Sequence, residues 1–374
     1  MTYLDAILLT CFRTFNGDRS RSAIYHLLTG KKTSQTIQDA HLYGVSNLFQ
    51  TLPKLSRAYF DERCEFLIEE KFVQELQDQR FSITKKGNSR LVNYFQDHPF
   101  PSYLNGWIYH DRAMVFWKRL NLLVQSASNI RHKEKSFYPV QRDPDIQRWV
   151  RETFVKWGEK RNKKIAEFHQ ELITLCQRED FPDHPEFIIN RLSGYQLIGL
   201  TIDQISQHFQ IEQVEVHYRF LHSLHYCMIK IQNQPLLYPL LFGLLQDLMN
   251  QSIRLTSSTK KTFSYIEKGL SLTDIATVRN LKESTIEDHI IELALMIPTF
   301  DIIEFVPKDL QDDVWLTAKK INHRRLREFK EEIPAASYFQ IRLVLVKRGR
   351  EDEKWKNYSS KNLATDRLEK VKRK

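Results

Sequence analysis

The chain has 374 residues, enough for two to four domains at about 100–200 residues each, and carries 56 Lys and Arg against 46 Asp and Glu, a net charge of +10. Its 11 glycines are about 3% of the chain, under half the usual ~7%. Phosphate-cradling loops and serial tight hairpins consume glycine, so doubly wound sheets, P-loop folds, barrels and β-sandwiches are poor starting points and a mainly α chain is expected.

The charge is localised. From Arg131 to Lys164 eleven basic residues face five acids, and from Lys347 to Lys374 the same counts recur, so each segment carries +6 and the rest of the chain −2. The cysteines, Cys11, Cys64, Cys176 and Cys227, are far apart and form no CxxC pair, which predicts reduced thiols in a cytoplasmic protein rather than a zinc or disulfide framework; nucleoid association is the expectation that goes with the DNA-binding reading below.

Met1 to Phe15 is apolar but interrupted by Asp5 and Arg13, and lacks the basic start and small-residue cleavage site of a signal peptide, so it predicts a helix. Ile24, Leu27 and Leu28 then space a helix, and Leu55-Ser56 opens another through Phe60, Cys64, Leu67 and Ile68. Residues 72–76 and 80–84 alternate apolar and polar around Gln77-Asp78-Gln79 and predict a hairpin, with Gly87 expected to end its wing. Helix, helix and hairpin make an N-terminal winged helix. Ile24 through Lys32, His41 through Val45, Leu55-Ser56 and the Ile83 to Gly87 ending resemble the winged-helix RQC module of RecQ-family helicases. That resemblance implies a detached helicase accessory module without the motor or the four-cysteine zinc module.

Residues 94–117 hold eight aromatics, read as interdomain core, with a stacking platform for unpaired bases as the alternative. Asp145 to about Gln177 reads as one long amphipathic helix, because Val150, Phe154, Trp157, Ile165, Phe168, Leu172 and Leu175 share a face. Lys156, Lys160 and Lys163 fall on the opposite face; with Arg148, Lys164 and the nearby Trp149 and Trp157 they form a candidate phosphate track. The run from Leu236 to Leu245 is half the ~20 residues of a membrane span and contains Pro239.

An internal repeat with an offset of 70 follows. Gly199-Leu-Thr-Ile202 matches Gly269-Leu-Ser-Leu272, Ile205-Ser206 matches Ile275-Ala276, and Ile211, Val216 and Phe220 match Leu281, Ile286 and Ile290. Each copy predicts a helix-turn-helix. Asn280 sits where the turn requires positive φ, and Leu281 plugs the angle between the helices. Lys268 to Ala276 with Leu281 to His289 resemble the helicase helix-turn-helix domain at the C-terminus of some RecQ helicases and its stand-alone YpbB-type relatives, over about residues 255–345. The family context implies a RecQ-type helicase partner and DNA repair or recombination.

The expected segments are a winged helix over 1–98, a helical aromatic and basic linker domain over 99–185, a first helix-turn-helix repeat over 186–250, a helicase helix-turn-helix domain over 251–345 and a basic tail over 346–374. Thr29 to Ser34 is no Walker A loop, since Tyr25 stands where its first glycine belongs. His217, His222, His225 and Cys227 point apart on a helix and predict no metal site. No compact acid, base and nucleophile set appears, so no enzyme and no cofactor are expected. The second helices are acidic: Lys282 to Glu292 carries −3, Leu55 to Lys71 −2 and Ile211 to His222 −1, which opposes phosphate contact.

The sequence therefore predicts a non-enzymatic DNA-binding accessory protein acting with a RecQ-type helicase, with forks or single strands favoured over one operator. The alternatives are a helix-turn-helix transcription regulator and a protein-only adaptor. DNA contacts are assigned to Arg148, Lys156, Lys160, Lys163 and Lys164, and to Lys361, Arg367, Lys370, Lys372, Arg373 and Lys374 in the tail. Lys282, Ser284, Thr285 and His289 are the candidate contacts of the second repeat.

Overall fold

The computed structural model describes residues 1–250, 255–320 and 326–351. The helices in chain order are α1 (Tyr3–Phe15), α2 (Arg21–Thr29), α3 (Ser34–Leu42), α4 (Arg57–Glu69), α5 (Lys85–Asp97), α6 (Gly106–Arg131), α7 (Pro144–Trp157), α8 (Arg161–Cys176), α9 (Glu186–Ile189), α10 (Ile202–Phe209), α11 (Gln213–Asn233), α12 (Pro239–Gly243) and α13 (Gln246–Asn250). They continue with α14 (Ser257–Ile266), α15 (Leu272–Arg279), α16 (Glu283–Met296), α17 (Lys308–Lys320), α18 (Leu326–Glu332) and α19 (Tyr338–Glu351). One antiparallel hairpin, β1 (Val73–Leu76) and β2 (Arg80–Ile83), lies between α4 and α5, paired from Val73 with Ile83 to Leu76 with Arg80. The fold is mainly α, as expected, and no described helix is long and apolar enough to cross a membrane.

Two compact units share the chain. A middle unit comprises Met1–Leu4 and Pro101–Ser252; a terminal unit comprises Asp5–Phe100 and Ile253–Lys374. The first helix-turn-helix copy lies in the middle unit and the second in the terminal unit.

In the terminal unit, α2 and α4 precede the hairpin in the expected order, and Ile24, Leu28, Phe60 and Leu67 are buried. Two features depart from expectation. Helix α3 arises from Ser34–Leu42, where only Ile37 and Ala40 give an apolar rhythm; Thr33 caps it by accepting from the Thr36 amide at 3.3 Å. Gly87 does not end the wing: it is a buried residue in the first turn of α5, where the Thr84 hydroxyl accepts its amide at 3.0 Å and an added Cβ would collide with the Phe72 carbonyl.

In the middle unit, α11 is the central element, buried along nearly its whole length, with α6, α9, α10 and α12 packed around it. The long helix expected over 145–177 is instead two helices. Gly158 has φ 49° and ψ −131°, a conformation only glycine adopts readily, and a single 3-10 turn over Gly158–Lys160 joins α7 to α8. The apolar spacing runs through the break in register, which is why periodicity alone overlooks it. Among the described residues the longest helix is α6, where much of the aromatic cluster resides: Tyr109, Phe116 and Trp117 are buried, with Trp117 edge-on to Phe220 at 5.0 Å. All four cysteines are free and buried. Burial pushes the Cys176 thiol up to about 11 and Cys64 to about 12, and holds Cys11 and Cys227 well above the ordinary range.

Candidate nucleic-acid interface

The two repeat copies are built alike. Thr201 and Ser271, 70 residues apart, cap α10 and α15 by accepting from the Gln204 and Asp274 amides, each at 3.2 Å. Gln210 and Asn280 end those helices in the left-handed region, at φ 54° and 48°. The amides of Ile211 and Leu281 then bond back to the carbonyls of Ser206 and Ala276, at 3.2 and 2.9 Å. Ile205 with Val216, and Ile275 with Ile286, are completely buried behind the turn.

The second helix of each copy, the element a helix-turn-helix lays into a DNA groove, spends its polar groups internally. On α16, Asp288 is ion-paired with Arg342 of α19 and accepts from the Gln38 amide of α3 at 3.3 Å, while Arg342 donates to Gln38 at 2.8 Å. The Glu292 carboxylate, 1% exposed, accepts from the Thr256 amide at 2.6 Å and from the hydroxyls of Thr256 and Thr259 at 3.1 and 2.6 Å, anchoring the start of α14. His289 is buried, 2.8 Å from the Thr262 hydroxyl, and its burial beside Arg279 lowers its pKa. It is a core residue, set apart from the exposed groups at the start of α16. Lys282 and Ser284 remain exposed and Thr285 half-buried, all in the first turn of α16 or just before it.

On α11, Glu215 is buried and bound by Arg219, which also reaches Asp183 at 3.3 Å. On α4, Arg63 grips the fully buried Asp5 with two bonds of 2.9 and 2.8 Å, Arg57 meets Asp61 at 2.7 Å, and Glu65 pairs with Arg21. Arginines so engaged are not free to neutralise phosphates.

The α7–α8 segment is the opposite case. Arg148, Arg151, Lys156, Lys160, Arg161 and Lys163 are exposed and Lys164 is half-buried. Three of them have carboxylate neighbours: Arg148 lies 3.1 Å from Asp145, Lys164 2.7 Å and Lys163 3.9 Å from Glu167. The hydrogen bond from Lys164 holds the Glu167 carboxyl below its usual range. Among the described residues, Arg151, Lys156, Lys160 and Arg161 have no such neighbour. Beside this surface runs a groove of about 530 Å³ between α7 and the α12–α13 segment, with Trp149, Lys156 and Trp157 on one wall and Leu240, Gln246 and Asp247 on the other.

A family model described as a helix-turn-helix domain matches residues 258–345. Protein YpbB of Bacillus subtilis (strain 168) is 30% identical over 355 residues, which span 93% of this chain and 98% of that protein. The chain belongs to the YpbB family. No solved structure matches it. The helix-turn-helix match points toward DNA binding; the YpbB name carries no activity with it.

Within this YpbB-family chain the predicted site residues separate into three groups. Arg148 and Lys156 lie on α7, Lys160 in the turn after it, and Lys163 and Lys164 on α8. Lys361, Arg367, Lys370, Lys372, Arg373 and Lys374 lie outside the described residues. Two residues counted with the basic tail are structural: Lys347 donates to the carbonyls of Pro298 and Phe300, at 2.6 and 2.8 Å, and Arg348 pairs with Asp312 at 2.7 Å. Sequence reasoning also passed over the facing wall of the groove, Leu240, Gln246 and Asp247, because nothing in those short helices signals that they lie against Trp149 and Trp157 some 90 residues earlier.

Proposed function

We propose that this protein is a non-enzymatic DNA-binding accessory factor that acts with a RecQ-type helicase in repair, recombination or replication. DNA lies along the basic α7–α8 surface and the C-terminal tail, and the helix-turn-helix helices serve packing and partner contact. One observation carries the reading: Arg63 and Arg219 on the second helices are spent on the internal carboxylates Asp5 and Glu215, whereas on α7–α8 Arg151, Lys156, Lys160 and Arg161 have, among the described residues, no carboxylate neighbour, and Lys156 lines an aromatic groove. The order of elements in the terminal unit, a winged-helix-like N-terminal segment packed through α3 on α16 and α19, supports a helicase-type module, and the RecQ link itself rests on the sequence resemblance. Reading of a single operator is disfavoured because α16 is acidic, packs on α3 and α19, and holds Asp288 and Glu292 in internal bonds.

The test is a salt titration of binding to fork, single-stranded and duplex DNA. A Lys156→Glu/Lys160→Glu variant and, separately, a truncation after Glu351 should each flatten the plot of log affinity against log salt, by about 0.7–0.9 per lost phosphate contact. The full-length protein should co-purify with a RecQ-type helicase and change its unwinding rate. Unchanged slopes in both variants defeat the DNA assignment; no effect on unwinding defeats the helicase assignment.

A further inference from the structure

We infer that the groove between α7 and α12–α13 holds an unstacked base of single-stranded DNA and favours bases that carry an exocyclic amino group. The inference rests on the assignment of DNA to α7–α8 and gives that surface a ligand class.

Both indoles are held in place before any ligand arrives. The Arg119 guanidinium lies 4.5 Å from the centre of the Trp149 ring; it is fixed there by two bonds to Asp247, at 2.6 and 2.7 Å, and one to the Leu244 carbonyl at 3.0 Å. Trp157 is braced edge-on by Phe154 at 5.1 Å and rests against Phe168. Positions 149 and 157 are eight residues apart, which at 1.5 Å per residue places their backbones about 12 Å apart along the helix axis. Both indoles are half-buried and line the groove. The volume of about 530 Å³ falls within the ~300–1,000 Å³ of pockets that enclose small planar ligands.

Charge decides which part of a nucleotide enters. Glu152 and Asp247 line the groove, and the Arg119 bonds keep the Asp247 carboxyl below its usual range. Asp247 is balanced by Arg119, which leaves the Glu152 carboxylate to oppose a phosphate inside the groove, whereas Lys156 on its wall and Lys160 in the turn that follows α7 attract one. The base goes in and the backbone stays outside. Carboxylate oxygens accept hydrogen bonds, so cytosine and adenine, which present an amino group, satisfy them; thymine presents a carbonyl oxygen at the corresponding position.

The experiment uses full-length protein, labelled oligo-dC, oligo-dA and oligo-dT, and a duplex of equal length, read by fluorescence anisotropy across a salt series. Oligo-dC and oligo-dA should bind about 10-fold more tightly than oligo-dT, and unlabelled oligo-dC should quench the intrinsic tryptophan fluorescence. Trp157→Ala should weaken single-strand binding about 5- to 100-fold, with the salt slope and duplex affinity unchanged, because stacking and not phosphate contact is lost. Trp157→Phe should retain most of the affinity, and Glu152→Gln, on an exposed side chain, should erase the preference among bases; these two variants decide the matter if Trp157→Ala misfolds. Wild-type affinity in both tryptophan variants, or equal affinity for the three oligomers, overturns the inference while lysine-dependent binding survives. Absence of all DNA binding overturns the α7–α8 assignment as well.

Discussion

Two histidines in the middle unit make its stability fall steeply on mild acidification. His222 and His225 are one turn apart on α11 and buried. The Nδ1 of His225 accepts the Asn105 amide at 3.0 Å, at the cap of α6, and the Nε2 of His222 lies 3.3 Å from the Ser102 hydroxyl. Burial, with Arg219 nearby, lowers His222 to about 4; burial, with His222 and His217 nearby, lowers His225 to about 3. Both are neutral in the folded state. Between pH 4 and 6.5 the unfolded chain binds protons that the folded chain refuses, so stability is complete above about 6.5 and is lost as pH falls. From pH 7 to pH 5 each histidine costs about 2 kcal/mol and the pair about 4 kcal/mol. Urea unfolding followed by tryptophan fluorescence measures this directly, since Trp107, Trp117, Trp149 and Trp157 all lie in the middle unit. Glutamine at either position should remove about half of the pH-dependent loss. A His222→Gln/His225→Gln protein that still loses the full wild-type amount between pH 7 and pH 5 refutes the argument.

Two further substitutions test the terminal unit. Gly87→Ala should destabilise it by about 1–3 kcal/mol or prevent folding, because the new methyl meets the Phe72 carbonyl of the strand entry; thermal melts that match wild type would show that α5 can shift. Glu292→Ala should cost about 3–5 kcal/mol, since three donors at the start of α14 lose a buried carboxylate acceptor, whereas Glu292→Gln, which keeps one oxygen there, should cost clearly less. Equal denaturation midpoints for the two variants would refute that role.

Much of this architecture is legible in single residues. The offset of 70 pairs Thr201 with Ser271, Gln210 with Asn280 and Ile211 with Leu281, and each pair performs one task in both copies, because caps, left-handed turn residues and buried plugs depend on neighbours within a dozen positions. Gly158 was equally available, but an isolated glycine costs a helix only about 1 kcal/mol, so the continuous apolar stripe outweighed it. Helix α3 was missed because its inward face is polar: Gln38 and Asp39 are buried, the latter paired with Arg19 at 2.8 Å. A polar face is read as solvated until the partners that satisfy it are known.

The same limit separates what the sequence determined from what the tertiary structure decided. Net charge, its concentration between Arg131 and Lys164, the acidity of the second helices and the repeated helix-turn-helix are local properties, and they were complete in the order of residues. Whether a charge is available is a property of its neighbours in space. Asp288, Glu292, Glu215 and Asp5 are consumed by partners that are often distant in sequence, His289 is consumed by the core, and Lys156 and Lys160 are left over beside two fixed indoles. Coulomb energy and desolvation depend on distance and burial, which chain order does not contain, so only the folded arrangement could distinguish the cations that hold the protein together from those that remain for a ligand.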